Sequence, residues 1–272
     1  VLASVPYKGQ VLNQTARFWF EQTVDICPNH VISYPDPNVI IAKGLSMLPV
    51  EMVVRDYITG STETSIWPMY ERGERTLYGI EFPEGLKKNE KLPETILTPT
   101  TKAAQGDHDA PITPPEIVAQ GLLSQAQWDE LARISLAIFA RGREVAAKNG
   151  LILVDTKYEF GKDKDGVITL IDEIHTPDSS RYFYIEGYED KIANGIQQKQ
   201  LSKEFVRQWL IENGFQGKEG QSIPAMSEEY CNSVSERYIE LYEYITGDKF
   251  VKEDVTDVVN RVEENILNYL GK

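Results

Sequence analysis

The sequence predicts an α+β protein whose C-terminal region is helical, and three observations carry that prediction. Residues 151–171 encode an antiparallel hairpin: Leu151-Ile152-Leu153-Val154 and Val167-Ile168-Thr169-Leu170-Ile171 are apolar runs joined through a Lys164-Asp165-Gly166 turn. A turn of that length cannot make a parallel crossover. Residues 124–148 have the length of a long helix, with Ser124 as N-cap, Gln127 three residues on and Gly150 at the C-terminal end. From Ser202 onward the pattern is helical, in segments 202–213, 227–246 after a Gly-rich loop, and 252–270.

The remaining elements follow in chain order. In residues 10–25, Leu12, Ala16, Phe18, Trp19 and Val24 recur at near-helical spacing between polar Asn13, Gln14 and Glu21, which predicts a short amphipathic helix stopped by Pro28. Val31 to Ile41 reads as strand material broken by the turn Pro35-Asp36-Pro37-Asn38, and Pro49 to Ile58 as a β-branched strand ending at Thr59-Gly60-Ser61. Residues 80–118 are rich in Pro, Thr and Asp without a sustained period, which predicts a long functional loop. Within it, the polar stretch 92–115 is expected to act as a mobile lid that brings Lys102 onto the substrates. Val1-Leu2-Ala3-Ser4 carries no initiator Met and reads as the middle of a strand, so the natural chain is expected to start earlier. The 272 residues suffice for one large domain or two moderate ones. The expected division is 1–45, the remainder of an N-terminal α+β subdomain; 46–200, a central α+β domain; and 201–272, the helical tail.

Charge restricts the function classes. The 28 basic and 42 acidic residues leave a net charge of −14, which argues against nucleic acid and anionic membrane as partners. A site for a phosphorylated substrate must therefore gather Lys and Arg locally. Cys27 and Cys231 are the only cysteines; without a CxxC pair they cannot build a zinc site and read as reduced thiols of a cytoplasmic protein. No apolar run approaches the roughly 20 residues of a membrane span.

The hairpin carries the densest chemistry. Strand alternation puts Asp155, Lys157 and Glu159 on one face, and the second strand ends in Asp172-Glu173. Carboxylates at one end of two strands that begin apolar point to a cleft that could hold one or two Mg²⁺ ions together with phosphates. The alternative is a solvated polar face. The next segment, His175-Thr176-Pro177-Asp178-Ser179-Ser180-Arg181, joins small hydroxyls to an arginine and suits an anion, as does Arg55 followed by Gly60-Ser61. A plain Asp-Ser turn with a surface arginine is the competing reading. His108 and His175 lack metal-ligand spacing and read as structural.

Longer stretches resemble a known family. Lys8-Gly9-Gln10-Val11-Leu12 with Phe18-Trp19-Phe20, LPVEMVVRDYITGS (48–61), TPTTKAAQGDHDAPIT (98–113), GLILVDTKYEFG (150–161), DEIHTPDSSRY (172–182) and LSKEFVRQWL (201–210) are similar, in order, to the SAICAR synthetases of purine biosynthesis, in their longer, fungal-type form. The resemblance implies an ATP-grasp-like fold with two antiparallel sheets around an ATP cleft. It also implies an ATP-dependent ligase that joins L-aspartate to the carboxylate of CAIR (carboxyaminoimidazole ribotide), with ATP and Mg²⁺ as cofactors and only small molecules as partners.

Carried over by residue, the resemblance places Lys43, Leu45 and Met47 at adenine, and Glu159 and Asp172 at Mg²⁺ and the nucleotide. Arg55, Ser61, Asp155, Ser180 and Arg181 are placed at CAIR, Lys102 and Asp109 on a closing central loop, and Lys203 and Arg207 on a tail helix reaching toward substrate. Lys157, Asp155 and Lys102 are the expected catalytic groups, Asp155 as the acceptor of the aspartate proton. The family opens with a hairpin whose Gly- and Lys-bearing turn covers the ATP phosphates, followed by an Asp-Arg segment; the sequence begins just after both. The alternatives are a phosphotransferase of related fold, such as an inositol-phosphate kinase, and a non-catalytic nucleotide-binding protein.

Overall fold

The computed structural model describes residues 2–61, 65–102, 110–217 and 220–272. In order the elements are α1 (Lys8–Thr23), β1 (Val31–Asp36), β2 (Val39–Ala42), β3 (Ser46–Met47), β4 (Val50–Tyr57), α2 (Ile66–Glu71), β5 (Thr76–Leu77) and β6 (Ile80–Glu81). There follow β7 (Lys91–Leu97), β8 (Thr100–Thr101), α3 (Pro114–Ala119), α4 (Gln125–Lys148), β9 (Leu151–Lys162), β10 (Ile168–Ile171) and β11 (Ser180–Tyr184). Helices α5 (Tyr188–Asn194), α6 (Glu204–Glu212), α7 (Glu228–Thr246) and α8 (Val258–Tyr269) complete the chain.

The antiparallel sheets of the α+β fold are one large sheet and two short ribbons, β1–β2 and β5–β6. The large sheet runs β10–β9–β4–β7, with β3 and β11 on β9 and β8 on β4. Its axis is β9, twelve residues long and almost wholly buried, which is why both hairpin strands read as apolar runs. Helix α4 covers one face of β9 and β4. It begins as predicted: the Ser124 hydroxyl accepts from the Gln127 amide and the Gln127 side chain bonds back to the Ser124 amide, satisfying two otherwise orphan donors. Its inward residues Leu131, Ile134, Ile138 and Phe139 meet Trp19, Leu153, Tyr158 and Tyr182 in the main core. Burying each such side chain stabilises by about 1.5–3 kcal/mol. Helix α1 packs on α7 and α4, so the first helix and the tail share a face.

The structure corrects several expectations. Residues 80–118 are not a structureless loop, since β7 pairs with β4 and Leu92 and Ile96 pack on Ile58, Ile66, Tyr70 and Phe82. Pro93 concealed the strand, yet it is tolerated because β7 is an edge strand. The segment 92–115, expected to form a lid, thus contains sheet and, from Pro114, a capped helix; residues 103–109, Asp109 among them, lie outside the described residues. Leu2 to Val5 form no strand, and Leu2, Ala3 and Val5 line a groove against α6 and α7. The last helix starts at Val258 rather than 252, where Asp257 accepts from the Asn260 amide as its cap. Strand β11 and helices α2 and α5 were not foreseen. Among the described residues no helix is long and apolar enough to cross a membrane.

Candidate active site

The register of β4 against β9 builds the site. Arg55 lies opposite Asp155 and Val53 opposite Lys157, so Glu51 and Arg55 of β4 share a face with Asp155, Lys157 and Glu159 of β9. At the far end of that face two lysines and two glutamates interlock. Lys157 Nζ donates to Glu51 Oε1 at 2.7 Å and Glu159 Oε1 at 2.8 Å. Lys102 Nζ donates to the same two oxygens at 3.1 and 2.6 Å. Lys102 therefore already stands in the cleft.

Burial alone would lower the Lys157 pKa, but its hydrogen bonds to Glu159 and Glu51 outweigh burial and hold it above its ordinary 10.5. The group is a fixed cation. Lys102 is raised for the same reason. Burial would raise Glu159, yet bonds from Lys102 and Lys157 win and hold it below its ordinary 4.5. Asp172 is shifted the other way, raised by desolvation and then by the Glu159 charge. Glu159 and Asp172 are thus two carboxylates at close quarters, Glu159 buried and Asp172 exposed.

These opposite shifts fix a pH signature. A carboxylate with a depressed pKa contributes stability above its unfolded value and loses it as pH falls through the folded one. A lysine with a raised pKa contributes below its unfolded value and loses it as pH rises through the folded one. Without Lys157 the neighbouring carboxylates repel and titrate higher, so the gap in urea midpoint between wild type and Lys157→Met is expected to be constant only from above those lifted values, through neutrality, up to 10.5, the ordinary value of Lys157. It should shrink outside that interval. A gap that varies freely inside it would contradict the ion cluster.

The near end of the face is a chain of alternating charge. Asp155 sits on β9 between Arg55 of β4 and Arg181 of β11, opposite both in register. Its Oδ2 accepts from Arg55 Nη1 at 3.0 Å and Arg181 Nη1 at 2.6 Å. Arg181 Nη2 continues to Glu204 Oε2 at 3.2 Å, which also accepts from Arg207 Nη1 at 2.8 Å. Ser61 Oγ donates to Glu204 Oε1, and Arg55 Nε donates to Thr98 Oγ1 at 2.8 Å. Desolvation opposes the charge of Arg181, but Asp155 and Glu204 raise its pKa on balance; desolvation likewise opposes Glu204, which Arg181 and Ser61 hold low.

A cavity of about 210 Å³ opens over this chain, lined by Arg55, Lys157, Arg181, Lys203 and Arg207 among others. Lys203 and Arg207 also line a larger neighbouring groove of about 790 Å³. Lys203 has no ion pair with another described residue. Ser180 borders the cavity, but its hydroxyl donates inward to Thr156 Oγ1 at 2.7 Å. The loop into β11 is shaped by Thr176, whose Oγ1 accepts from the Asp178 and Ser179 amides, each at 3.2 Å. Asp178 is held from outside by Lys8 Nζ at 2.8 Å and the Tyr238 hydroxyl at 2.6 Å.

Lys43, Leu45 and Met47 lie apart from that cavity, on the connection from β2 through β3. Met47 pairs with Gly161, two residues beyond Glu159 on the same face. A Cβ at Gly161 would stand 3.0 Å from Leu45 Cβ, so glycine lets this connection cross β9 closely. Lys43 and Met47 are exposed and Leu45 half-buried. The segment borders the Glu159–Asp172 end of the face.

The structure thus gathers Arg55, Ser61, Lys102, Asp155, Lys157, Glu159, Arg181 and Arg207 into two neighbouring networks, with Lys203 lining the cavity. Sequence reasoning missed Glu51, Thr98 and Glu204. Glu51 stands four residues before Arg55, so strand alternation could have placed it on the same face; Glu204 is three before Arg207 on one helix, which could have paired them.

Comparison with known proteins agrees with this geometry. The SAICAR synthetase family profile matches residues 2–223. The chain belongs to the SAICAR synthetase family. It is 55% identical over 268 residues to the phosphoribosylaminoimidazole-succinocarboxamide synthase of Bacteroides fragilis, covering 98% of this chain and 84% of that protein. Among solved structures, SAICAR synthase of Saccharomyces cerevisiae complexed with SAICAR matches with a TM-score of 0.75 and 30% identity, over 92% of this chain and 84% of that one. A SAICAR synthetase in complex with ADP matches with a TM-score of 0.67 and 26% identity, over 92% of this chain and 85% of the other.

Proposed function

We propose that this chain condenses L-aspartate with the carboxylate of CAIR to give SAICAR, hydrolysing ATP to ADP and phosphate, as a cytoplasmic step of purine biosynthesis. Beside the family match, the observation that carries this reading is the cationic cleft itself: in a protein of net charge −14, Arg55, Lys157, Arg181, Lys203 and Arg207 converge on one cavity. A ribotide phosphate and a carboxylate are the anions such a cleft recognises.

The chemistry requires activating a carboxylate, which is inert to amines at neutral pH. A CAIR carboxylate oxygen attacks the γ-phosphorus of ATP and ADP leaves, giving an acyl phosphate. The aspartate amine, having lost its proton, then attacks the acyl carbon, and phosphate departs with that carboxylate oxygen. Transferring phosphate between anions is a problem of alignment and charge. Lys157 and Lys102, held cationic by Glu51 and Glu159, supply positive charge where it builds up. Arg181, Arg207 and Lys203 hold CAIR, with Arg55 fixed behind them by Asp155 and Thr98. One oxygen of Asp155 accepts from both guanidiniums, and we assign it the role of aligning Arg55 and Arg181. Ser180 contributes through the backbone of its turn, its hydroxyl being spent on Thr156. Lys43, Leu45 and Met47 border adenine.

Glu159 and Asp172 fit a magnesium ion. They are neighbouring carboxylates, Asp172 being raised by desolvation and then by the Glu159 charge. Mg²⁺ favours such a sparse protein set completed by phosphates and water, and when bound it would neutralise phosphate charge. Asp172→Asn is accordingly expected to leave the fold intact and abolish turnover; unchanged turnover at low Mg²⁺ would remove Asp172 from the metal site.

The reading as a whole is tested by ADP release with CAIR, with and without L-aspartate. Sustained release that needs both supports the ligase. Release with a polyol phosphate and no need for aspartate would indicate a phosphotransferase, and ATP binding without release a non-catalytic protein.

A further inference from the structure

The segment Asp172 to Arg181 carries groups on which the proposed reaction depends, yet it holds two non-glycine residues in the left-handed region, Asp172 at φ 64° and His175 at φ 51°. Such conformations persist where the surroundings over-determine them. At His175 the determinants are visible on every side. The residue is fully buried. Its Nε2 lies 2.5 Å from the Tyr158 hydroxyl, its ring meets Trp19 edge-on with centroids 4.6 Å apart, and its carbonyl accepts from the Tyr182 hydroxyl at 2.8 Å. On the remaining side it abuts α4 at Gly142, where an added Cβ would stand 2.3 Å from Cε1 and 2.8 Å from Nδ1.

The position of Tyr158 gives these contacts their consequence. It lies on β9 between Lys157 and Glu159, and alternation turns it to the opposite face. His175 therefore grips, from behind the sheet, the same three-residue stretch whose front face carries the lysine–glutamate cluster. Asp172 precedes it by one turn of chain, and Arg181 lies at the start of β11 beyond it.

We propose that His175 is a positioning residue: pinned between Tyr158, Trp19 and Gly142, it fixes the 172–181 segment to the rear of β9, so that Asp172 meets Glu159 and Arg181 meets Asp155. It touches no substrate. An imidazole suits the position because it combines a flat edge, which passes over Gly142, with a nitrogen that engages the tyrosine; a leucine or phenylalanine would fill space without the bond.

The inference rests on the ligase reading, and its test separates the two. Tyr158→Phe removes the bond to Nε2 at nearly constant volume, and Gly142→Ala presses on the ring from α4; neither residue lines the cavity. CAIR affinity is measured by calorimetry without metal, ADP affinity likewise, half-saturating Mg²⁺ by turnover, and folding by thermal melts. In both variants, assayed below their melting transitions, CAIR affinity is expected to fall about tenfold, the scale of contacts that orient a binding group. Half-saturating Mg²⁺ should rise, while ADP affinity stays within about twofold. His175→Gln, which can still bond Tyr158, should recover part of the CAIR affinity that His175→Leu loses. Folded variants with wild-type CAIR affinity and Mg²⁺ dependence, differing only in melting temperature, would overturn the proposal and leave His175 as packing. Absence of ligation by the wild type would instead count against the functional reading.

Discussion

Replacing Arg181 by lysine is expected to weaken CAIR binding by roughly ten- to a hundredfold while leaving ATP affinity nearly unchanged. The guanidinium bridges Asp155 and Glu204 through separate nitrogens, and both carboxylates are almost wholly buried. A lysine presents one compact charge and cannot span them. One carboxylate is left short of its partner, and the cation facing the cavity loses its orientation. Losing one charge-assisted hydrogen bond costs about 1.5–3 kcal/mol, which sets the range. Titrations with CAIR and with ATP check it; an affinity loss confined to ATP would move Arg181 to the nucleotide.

Lys157→Met is expected to lower kcat by about a hundred- to a thousandfold, the usual consequence of deleting one preorganised charge from a reaction centre. Glu51, Glu159 and Asp172 would then share Lys102 alone. The repulsion should lift the pKa values of Glu159 and Asp172, and CAIR affinity should change less than turnover because Arg181 and Arg207 remain. Single-turnover ADP formation with saturating CAIR and ATP is the measurement. A loss smaller than about fivefold would reduce Lys157 to an ordinary ion pair, whose median worth is about 0–1 kcal/mol.

Much of this arrangement was legible in the sequence. The hairpin 151–171 announced β9 and β10 because its strands start apolar and end charged, and strand alternation alone put Asp155, Lys157 and Glu159 on one face. Arg55 at the end of an apolar strand reads as a group suited to an anion, and in the fold it is paired with Asp155, opposite in register. Other parts could not be read locally. Glu51 is hidden inside a β-branched run, and only the neighbouring strand and Lys102 reveal why a buried carboxylate is tolerated there. Glu204 shows no role in the sequence; the fold brings Ser61 and Arg181 to it from 143 and 23 positions away. Strand β7 escaped because Pro93 and a polar alternation mimic a loop; its pairing with β4 is a property of the edge it occupies. His175 read as a structural histidine, which it is by burial, but the sequence gives no hint that Gly142, on a separate helix, leaves the space it fills.

The most direct measurement follows one oxygen. With CAIR labelled by ¹⁸O in its carboxylate, and with ATP and L-aspartate present, activation through an acyl phosphate predicts that each turnover delivers one labelled oxygen to the released phosphate. Phosphate free of label, with SAICAR still formed, would contradict the transfer of phosphate to CAIR in this cleft.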